Sequence, residues 1–298
     1  MRSLLPLVAV MAALFGATPD VAAAQPATRP LAEIKMIPWR NRWALEATIG
    51  GKAYPFLLDT GAGVTLLDTA VADAVGCKLY GRLTGYNMMG TRFDGPRCAA
   101  QPMAVGGVVL KPLSLSRTNL AKMNPRDAGL GGIVGLNLFD GQTVTFDFAV
   151  GTLTIESEAS RAVRVATMRP LPIRLSRELS GLALAASVEV PTKEGPLLME
   201  LDSGNGGTVL VSKAIAPLVG MDPANEGKQR ADFPVLGDIR ATTDDAFTPD
   251  MIIEGNLGMP FLRNWTVTLD LARGLAWIGQ PAGPPRPAEP LPPPPAKP

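Results

Sequence analysis

The 298-residue chain contains no histidine. That absence removes Ser-His-Asp and Cys-His nucleophilic systems and every His-ligated metal centre. Two cysteines are too few for a Cys-rich zinc site. No metal and no cofactor are therefore expected, and any catalysis falls to Asp, Glu, Lys, Tyr, Ser or Cys. An excess of either charge is also missing. The 28 Lys+Arg stand against 27 Asp+Glu, net +1, so nothing electrostatic argues for nucleic acid or an anionic membrane as a partner. No long apolar run follows Phe15, so no integral membrane segment is expected in the mature chain.

Apolar residues make up 46% of the chain and charged residues 18%, a balance that predicts a folded core. The length suits one large all-β domain or two lobes of about 125 residues each. Residues 1–24 read as an export signal. Arg2 precedes an apolar run from Leu4 to Phe15, and Ala22-Ala23-Ala24 offers the small residues of a cleavage site. No cysteine follows the run to suggest a lipid anchor. The expectation is an exported protein, periplasmic or secreted, whose oxidising surroundings favour a Cys77–Cys98 disulfide over two buried thiols. At the other end, residues 281–298 hold 10 prolines in 18 positions and are expected to form a disordered, PPII-like tail.

Between these ends the chain repeats itself. Ile34-Lys35-Met36 corresponds to Ile173-Arg174-Leu175 at an offset of 139, and Phe56 to Gly61 corresponds to Met199 to Gly204 at 143. Asp68 to Gly76 corresponds to Ser212 to Gly220 at 144, and Gly135 to Ile155 corresponds to Gly258 to Ile278 at 123. Four blocks in one order predict two similar units, residues 31–156 and 179–280, joined by a connector over 157–178. The connector's five arginines, at 161, 164, 169, 174 and 177, read as a solvated face. Each unit reads mostly as short strands with one helix, N-capped by Asp68 or Ser212 and ended by Gly76 or Gly220.

Each unit also sets an apolar strand directly before Asp-(Thr/Ser)-Gly. Asp59-Thr60-Gly61 follows Phe56-Leu57-Leu58, and Asp202-Ser203-Gly204 follows Leu198-Met199-Glu200-Leu201. Such a strand delivers a carboxylate to the edge of an apolar core. The glycine lets a second chain approach closely, and the hydroxyl of Thr60 or Ser203 is placed to bond across to the partner loop. If the loops meet, Asp59 and Asp202 cannot both ionise easily and one proton is shared. One carboxylate then activates a water and the protonated one polarises a carbonyl.

On these residues, together with Gly132-Ile133-Val134-Gly135 and Gly255-Asn256-Leu257-Gly258, the chain resembles the aspartic proteases of the pepsin and retropepsin type. It is most similar to bacterial exported proteins with two retropepsin-like lobes in one chain. The resemblance implies an all-β fold of two similar β-barrel lobes about a pseudo-twofold axis, one short helix per lobe and a cleft between them. It implies an aspartic endopeptidase acting on a polypeptide as a monomer, with Asp59 and Asp202 catalytic and Thr60, Gly61, Ser203 and Gly204 supporting them. It also implies a hairpin flap, for which Thr84 to Thr91 is the candidate, with Tyr86 and Gly90 placed to meet substrate. The chain departs from the family pattern at three places. Gly63 lacks the hydroxyl that often bonds the outer carboxylate oxygen, Asn205-Gly206-Gly207 follows the second tripeptide, and Asn256 replaces an apolar residue. These departures motivate the alternative of a catalytically weak or inactive peptide-binding or scaffold protein.

Overall fold

The computed structural model describes residues 28–289. The export signal expected over 1–24 and the final residues of the Pro-rich tail lie outside that range. The fold is mostly β, arranged in three sheets.

A ten-stranded sheet carries Asp59. Its central strand Gly132–Val134 runs parallel to Lys52–Leu58 on one side and antiparallel to Leu66–Asp68 on the other. A seven-stranded sheet carries Asp202 and repeats this arrangement. There Gly255–Leu257 runs parallel to Leu197–Leu201 and antiparallel to Val209–Val211. The two central strands, Gly132–Val134 and Gly255–Leu257, are buried at every position, as strands paired on both sides at a sheet centre are.

The late hairpins of the two units share one sheet. Thr143–Asp147 and Thr152–Glu156 join Thr266–Asp270 and Leu275–Gly279 in one six-stranded sheet, edged by Ala32–Lys35 and Arg169–Pro170. None of the three strand orders closes on itself. Burial explains the joining. Thr266–Asp270 is buried at every position and Thr143–Asp147 at all but the first, so each needs a hydrogen-bonded neighbour on its open edge. They supply each other. Thr145 sits opposite Thr268, flanked by Thr143 opposite Asp270 and Asp147 opposite Thr266. Asp147 and Asp270 cap the turns of these hairpins, accepting from Ala149 and Arg273 N–H at 3.1 and 3.0 Å, and both are buried.

Helix content exceeds one per unit. Thr69–Ala74 is the expected first helix, with the Asp68 side chain accepting from Ala70 N–H at 2.9 Å. Its counterpart is only a 3₁₀ turn, Ala216–Val219. Ser212 turns its hydroxyl to Met251 O at 3.3 Å instead of capping, and Pro217 removes a donor. Further short helices form at Leu120–Met123 and Met259–Leu262. The connector is structured as well. Ser157 caps the Glu158–Val165 helix in a capping box with Ser160. Its arginines are paired, Arg164 to Glu156 at 3.2 Å, Arg174 to Glu189 at 2.7 Å and Arg177 to Asp140 at 2.7 Å.

Cys77 and Cys98 form a disulfide, with Cα atoms 5.5 Å apart. It ties the segment after the first helix to the Arg92–Cys98 strand of the flap hairpin. The expected disorder of the Pro-rich segment is corrected over 281–289. Ala282 N–H donates to Asp147 at 2.8 Å, Arg286 lies over the Trp43 ring at 5.2 Å, and Glu289 and Asn41 exchange two hydrogen bonds. Proline-rich backbone cannot extend a ladder, but its remaining polar groups still dock through side chains. Among the described residues no helix is long and apolar enough to cross a membrane.

Candidate active site

The two Asp-(Thr/Ser)-Gly loops face each other across the molecule. Each leaves its strand in the same way, Asp59 N–H donating to Val134 O at 3.0 Å and Asp202 N–H to Leu257 O at 3.1 Å. The Gly132–Val134 and Gly255–Leu257 strands thus hold the loops from behind.

Four buried hydrogen bonds lock the loops together. Thr60 Oγ1 donates to Leu201 O at 2.5 Å and accepts from Ser203 N–H at 3.0 Å. Ser203 Oγ donates to Leu58 O at 3.0 Å and accepts from Thr60 N–H at 3.1 Å. Each hydroxyl uses its donor and one lone pair on the opposite strand end, so both buried hydroxyls are satisfied. Thr60→Val is therefore expected to destabilise the protein by about 2–5 kcal/mol, because the Ser203 N–H and Leu201 carbonyl lose their partners inside the core. Urea unfolding measures this, and a loss below about 0.5 kcal/mol, an ordinary surface effect, would mean the interlock does not hold the loops.

The interlock brings the Asp59 and Asp202 carboxyls into hydrogen-bonding contact. Both glycines are demanded by that approach. A Cβ at Gly204 would lie 2.3 Å from the Asp59 carboxyl carbon, and one at Gly61 would lie 2.7 Å from that of Asp202. Burial, and then the negative charge of Asp202, hold the Asp59 carboxyl well above the usual carboxylate range. The Arg42 guanidinium and the Gly61 N–H pull against this. Arg42 is itself pinned by a buried ion pair with Asp127, which also accepts from Trp39 Nε1 at 3.1 Å and Asn124 Nδ2 at 2.9 Å.

The hydrogen bonds to the two carboxylates are unequal. Asp59 accepts the Gly61 N–H at 3.1 Å. Asp202 accepts Gly204 N–H at 2.8 Å and Asn205 N–H at 3.1 Å on Oδ1, and the Asn256 amide at 2.8 Å on Oδ2. Gly63 supplies no side chain to Asp59 for a backbone reason. Its φ is +67°, and its carbonyl accepts from Leu184 N–H at 3.0 Å. The first loop therefore turns in a conformation that a side-chain donor there disfavours.

Behind the pair sits Glu200, half-buried in an otherwise apolar strand. Burial and the nearby charges of Asp202 and Asp59 push its carboxyl up to about 9. The sequence reading placed no role on Glu200 or Arg42 and noted Asn256 only as a departure. The available signal was a glutamate at the position where the first unit carries Leu57.

The candidate flap segment, Thr84 to Thr91, lies at the tip of a hairpin. Leu79–Tyr86 and Arg92–Cys98 form an antiparallel hairpin, and Gly90 N–H closes its tip on Asn87 O at 2.9 Å. The tip touches the opposite loop, Met88 O accepting from Ile252 N–H at 3.0 Å. Tyr86 ends the first flap strand and is 60% exposed. The six residues Asp59, Thr60, Gly61, Asp202, Ser203 and Gly204 are thus brought together, while Tyr86 and Gly90 stand on the flap. No cluster of three or more metal-ligating side chains occurs among the described residues.

No curated protein matches the chain. Residues 45–138 match the family model described as aspartyl protease, a span that holds Asp59-Thr60-Gly61 and the Gly132–Gly135 segment and ends before Asp202.

Proposed function

We propose that the protein is an aspartic endopeptidase that hydrolyses peptide bonds with a water held between Asp59 and Asp202. The observation carrying this reading is the contact of the half-buried Asp59 carboxyl with the buried Asp202 carboxyl, which helps hold Asp59 well above the usual carboxylate range, fixed by the reciprocal Thr60–Ser203 interlock. In the reaction the ionised carboxylate takes a proton from water as its oxygen attacks the peptide carbonyl carbon. The protonated carboxyl gives its proton to the carbonyl oxygen, leaving a gem-diol. Collapse returns one hydroxyl proton to the second carboxylate, passes the other carboxyl's proton to the departing amine nitrogen and breaks the C–N bond. The pair ends as it began, one proton shared.

The finer architecture belongs to the same proposal. Two retropepsin-like lobes related by a pseudo-twofold axis are supported by the recurring strand pairings around Gly132–Val134 and Gly255–Leu257. The central register supports them too. At the 123-residue offset, Thr143 opposite Asp270 maps onto Thr266 opposite Asp147, with Thr145 and Thr268 at the axis. An exported protein, periplasmic or secreted and acting as a monomer on a polypeptide, is supported by the disulfide and by both aspartates lying on one chain.

The test is digestion of a mixed peptide library by the purified protein across a series from pH 3 to pH 8. Internal cleavage at defined bonds is the expected result. Peptides intact at every pH, yet retained by immobilised protein, would favour the non-catalytic binding protein instead.

A further inference from the structure

Resting on the hydrolytic reading above, we propose that Asn256, oriented by Asn205 and backed by Glu200, is a positioning residue that fixes the negative charge of the pair on Asp202 and leaves the proton on Asp59. Asp202 is then the base that takes the proton from water, and Asp59 the acid that serves the substrate carbonyl.

The orientation of Asn256 follows from groups whose direction is not in question. The backbone N–H groups of Gly207 and Thr208 can only donate, and both point at one atom of the Asn205 side chain, at 3.4 and 3.1 Å. That atom must be Oδ1. Asn205 Nδ2 therefore faces Asn256, at 2.8 Å from its Oδ1. Asn256 in turn presents its Nδ2 to Asp202 Oδ2 at 2.8 Å and to Glu200 at 3.4 Å. A donor aimed at a carboxylate favours the charged form. Asp202 holds three such donors and Asp59 one.

Comparison of the two halves shows where this asymmetry arises. Leu57 and Ile133 are opposite each other beside Asp59, and Glu200 and Asn256 are opposite each other beside Asp202. The first pair packs into an apolar cluster with Ala44, Leu120 and Leu130. The second pair is polar and is tied to the aspartate two residues on. Residues two apart on a strand share a face, so Glu200 lies on the same side as Asp202. The groups facing Glu200 are Asp202 on its own strand, Asn256 from the neighbouring strand, Asp59 from the other loop and Glu178, with Ser187 opposite it on the remaining side. Burial among these acids keeps Glu200 neutral up to about pH 9. It therefore accepts the second Asn256 proton without adding a competing charge beside Asp202.

The test compares wild type with Asn256→Leu and with the double variant Glu200→Leu/Asn256→Ile, which copies the Leu57–Ile133 pair. Two readouts are used. Carbon-13 NMR of aspartate-labelled protein reports which carboxyl of the pair is ionised, without turnover. Wild type is expected to show the ionised carboxylate on Asp202 and the proton on Asp59, and both variants are expected to move charge toward Asp59. In cleavage assays kcat is expected to fall about 10–100-fold, the worth of a hydrogen bond to a charged group, with KM little changed and the acidic limb of kcat/KM moved to higher pH. Asn256→Asp, which loses the donor but keeps the shape, should not restore activity, whereas Asn256→Gln should restore part of it. A proton found on Asp202 in wild type, or an ionisation pattern unchanged in both variants, overturns the proposal. A protein that cleaves nothing sinks the peptidase reading alone, because the NMR result still decides the positioning role.

Discussion

Asp59→Asn and Asp202→Asn are each expected to lower kcat/KM for peptide cleavage at least about 10³-fold. Each carboxyl both removes and donates a proton during one turnover, and general acid–base catalysis of this kind is worth about 10²–10⁴ per group. An asparagine can hydrogen-bond but cannot exchange the proton. The two should also fail as a unit. The double variant is expected to be no more than about tenfold worse than either single one, because removing one partner already disables the shared water. Unfolding does not account for the loss. The Asp59 carboxyl is held well above its ordinary range by burial and by Asp202, so a neutral amide there relieves an unfavourable arrangement near neutral pH. Asp59→Asn should unfold at a urea midpoint equal to or above that of wild type at pH 7. A variant retaining more than a tenth of wild-type activity would contradict the mechanism.

Glu200→Gln is expected to stabilise the protein increasingly as pH rises. In the folded chain burial among acids raises the Glu200 carboxyl from 4.5 to about 9. Below about pH 4.5 both folded and unfolded chains hold the proton, and the two proteins should match. Between there and about pH 9 the unfolded chain has released the proton while the folded chain keeps it. Folding then takes up a proton, and wild-type stability falls with pH by at most 1.36 kcal/mol per unit. Above about pH 9 the penalty is constant. The full shift would amount to about 6 kcal/mol. Glu200 is only half-buried, and screening by water reduces the expected gain at pH 8 to about 2–4 kcal/mol. Gln keeps the oxygen that accepts from Asn256, so the geometry at Asp202 is preserved. Urea titrations at pH 4 and pH 8 measure the difference. A gain equal at both values would mean that packing rather than ionisation is responsible.

The candidate site was legible because its chemistry is written in short, repeated strings. An apolar strand ending in Asp-Thr-Gly or Asp-Ser-Gly states the position of the carboxylate, the cross-reaching hydroxyl and the close-approach glycine, and all three sit as read. The Asp68 cap was legible for the same local reason, whereas the Cys77–Cys98 pair was read from the expected oxidising surroundings and the count of two cysteines. What was not legible depends on which strand lies beside which. Thr143–Asp147 and Thr266–Asp270 carry the same alternation, and nothing in that pattern says they pair with each other as well as with their own hairpin partners. Asn256 looked like an isolated departure until the register set it opposite Glu200. The same holds for Ser212, whose hydroxyl finds Met251 O, 39 residues away, before it can cap a helix.

Direct attack by a water shared between Asp59 and Asp202 leaves no covalent intermediate on the protein. Single-turnover cleavage of one library-derived peptide in oxygen-18 water tests it most directly, with the quenched protein and both products weighed by mass spectrometry. One oxygen-18 atom is expected in the new carboxyl, with no peptide-derived mass on the protein at any time before completion. A transient acyl adduct on the protein, whether on Thr60, Ser203 or any other side chain, would contradict it.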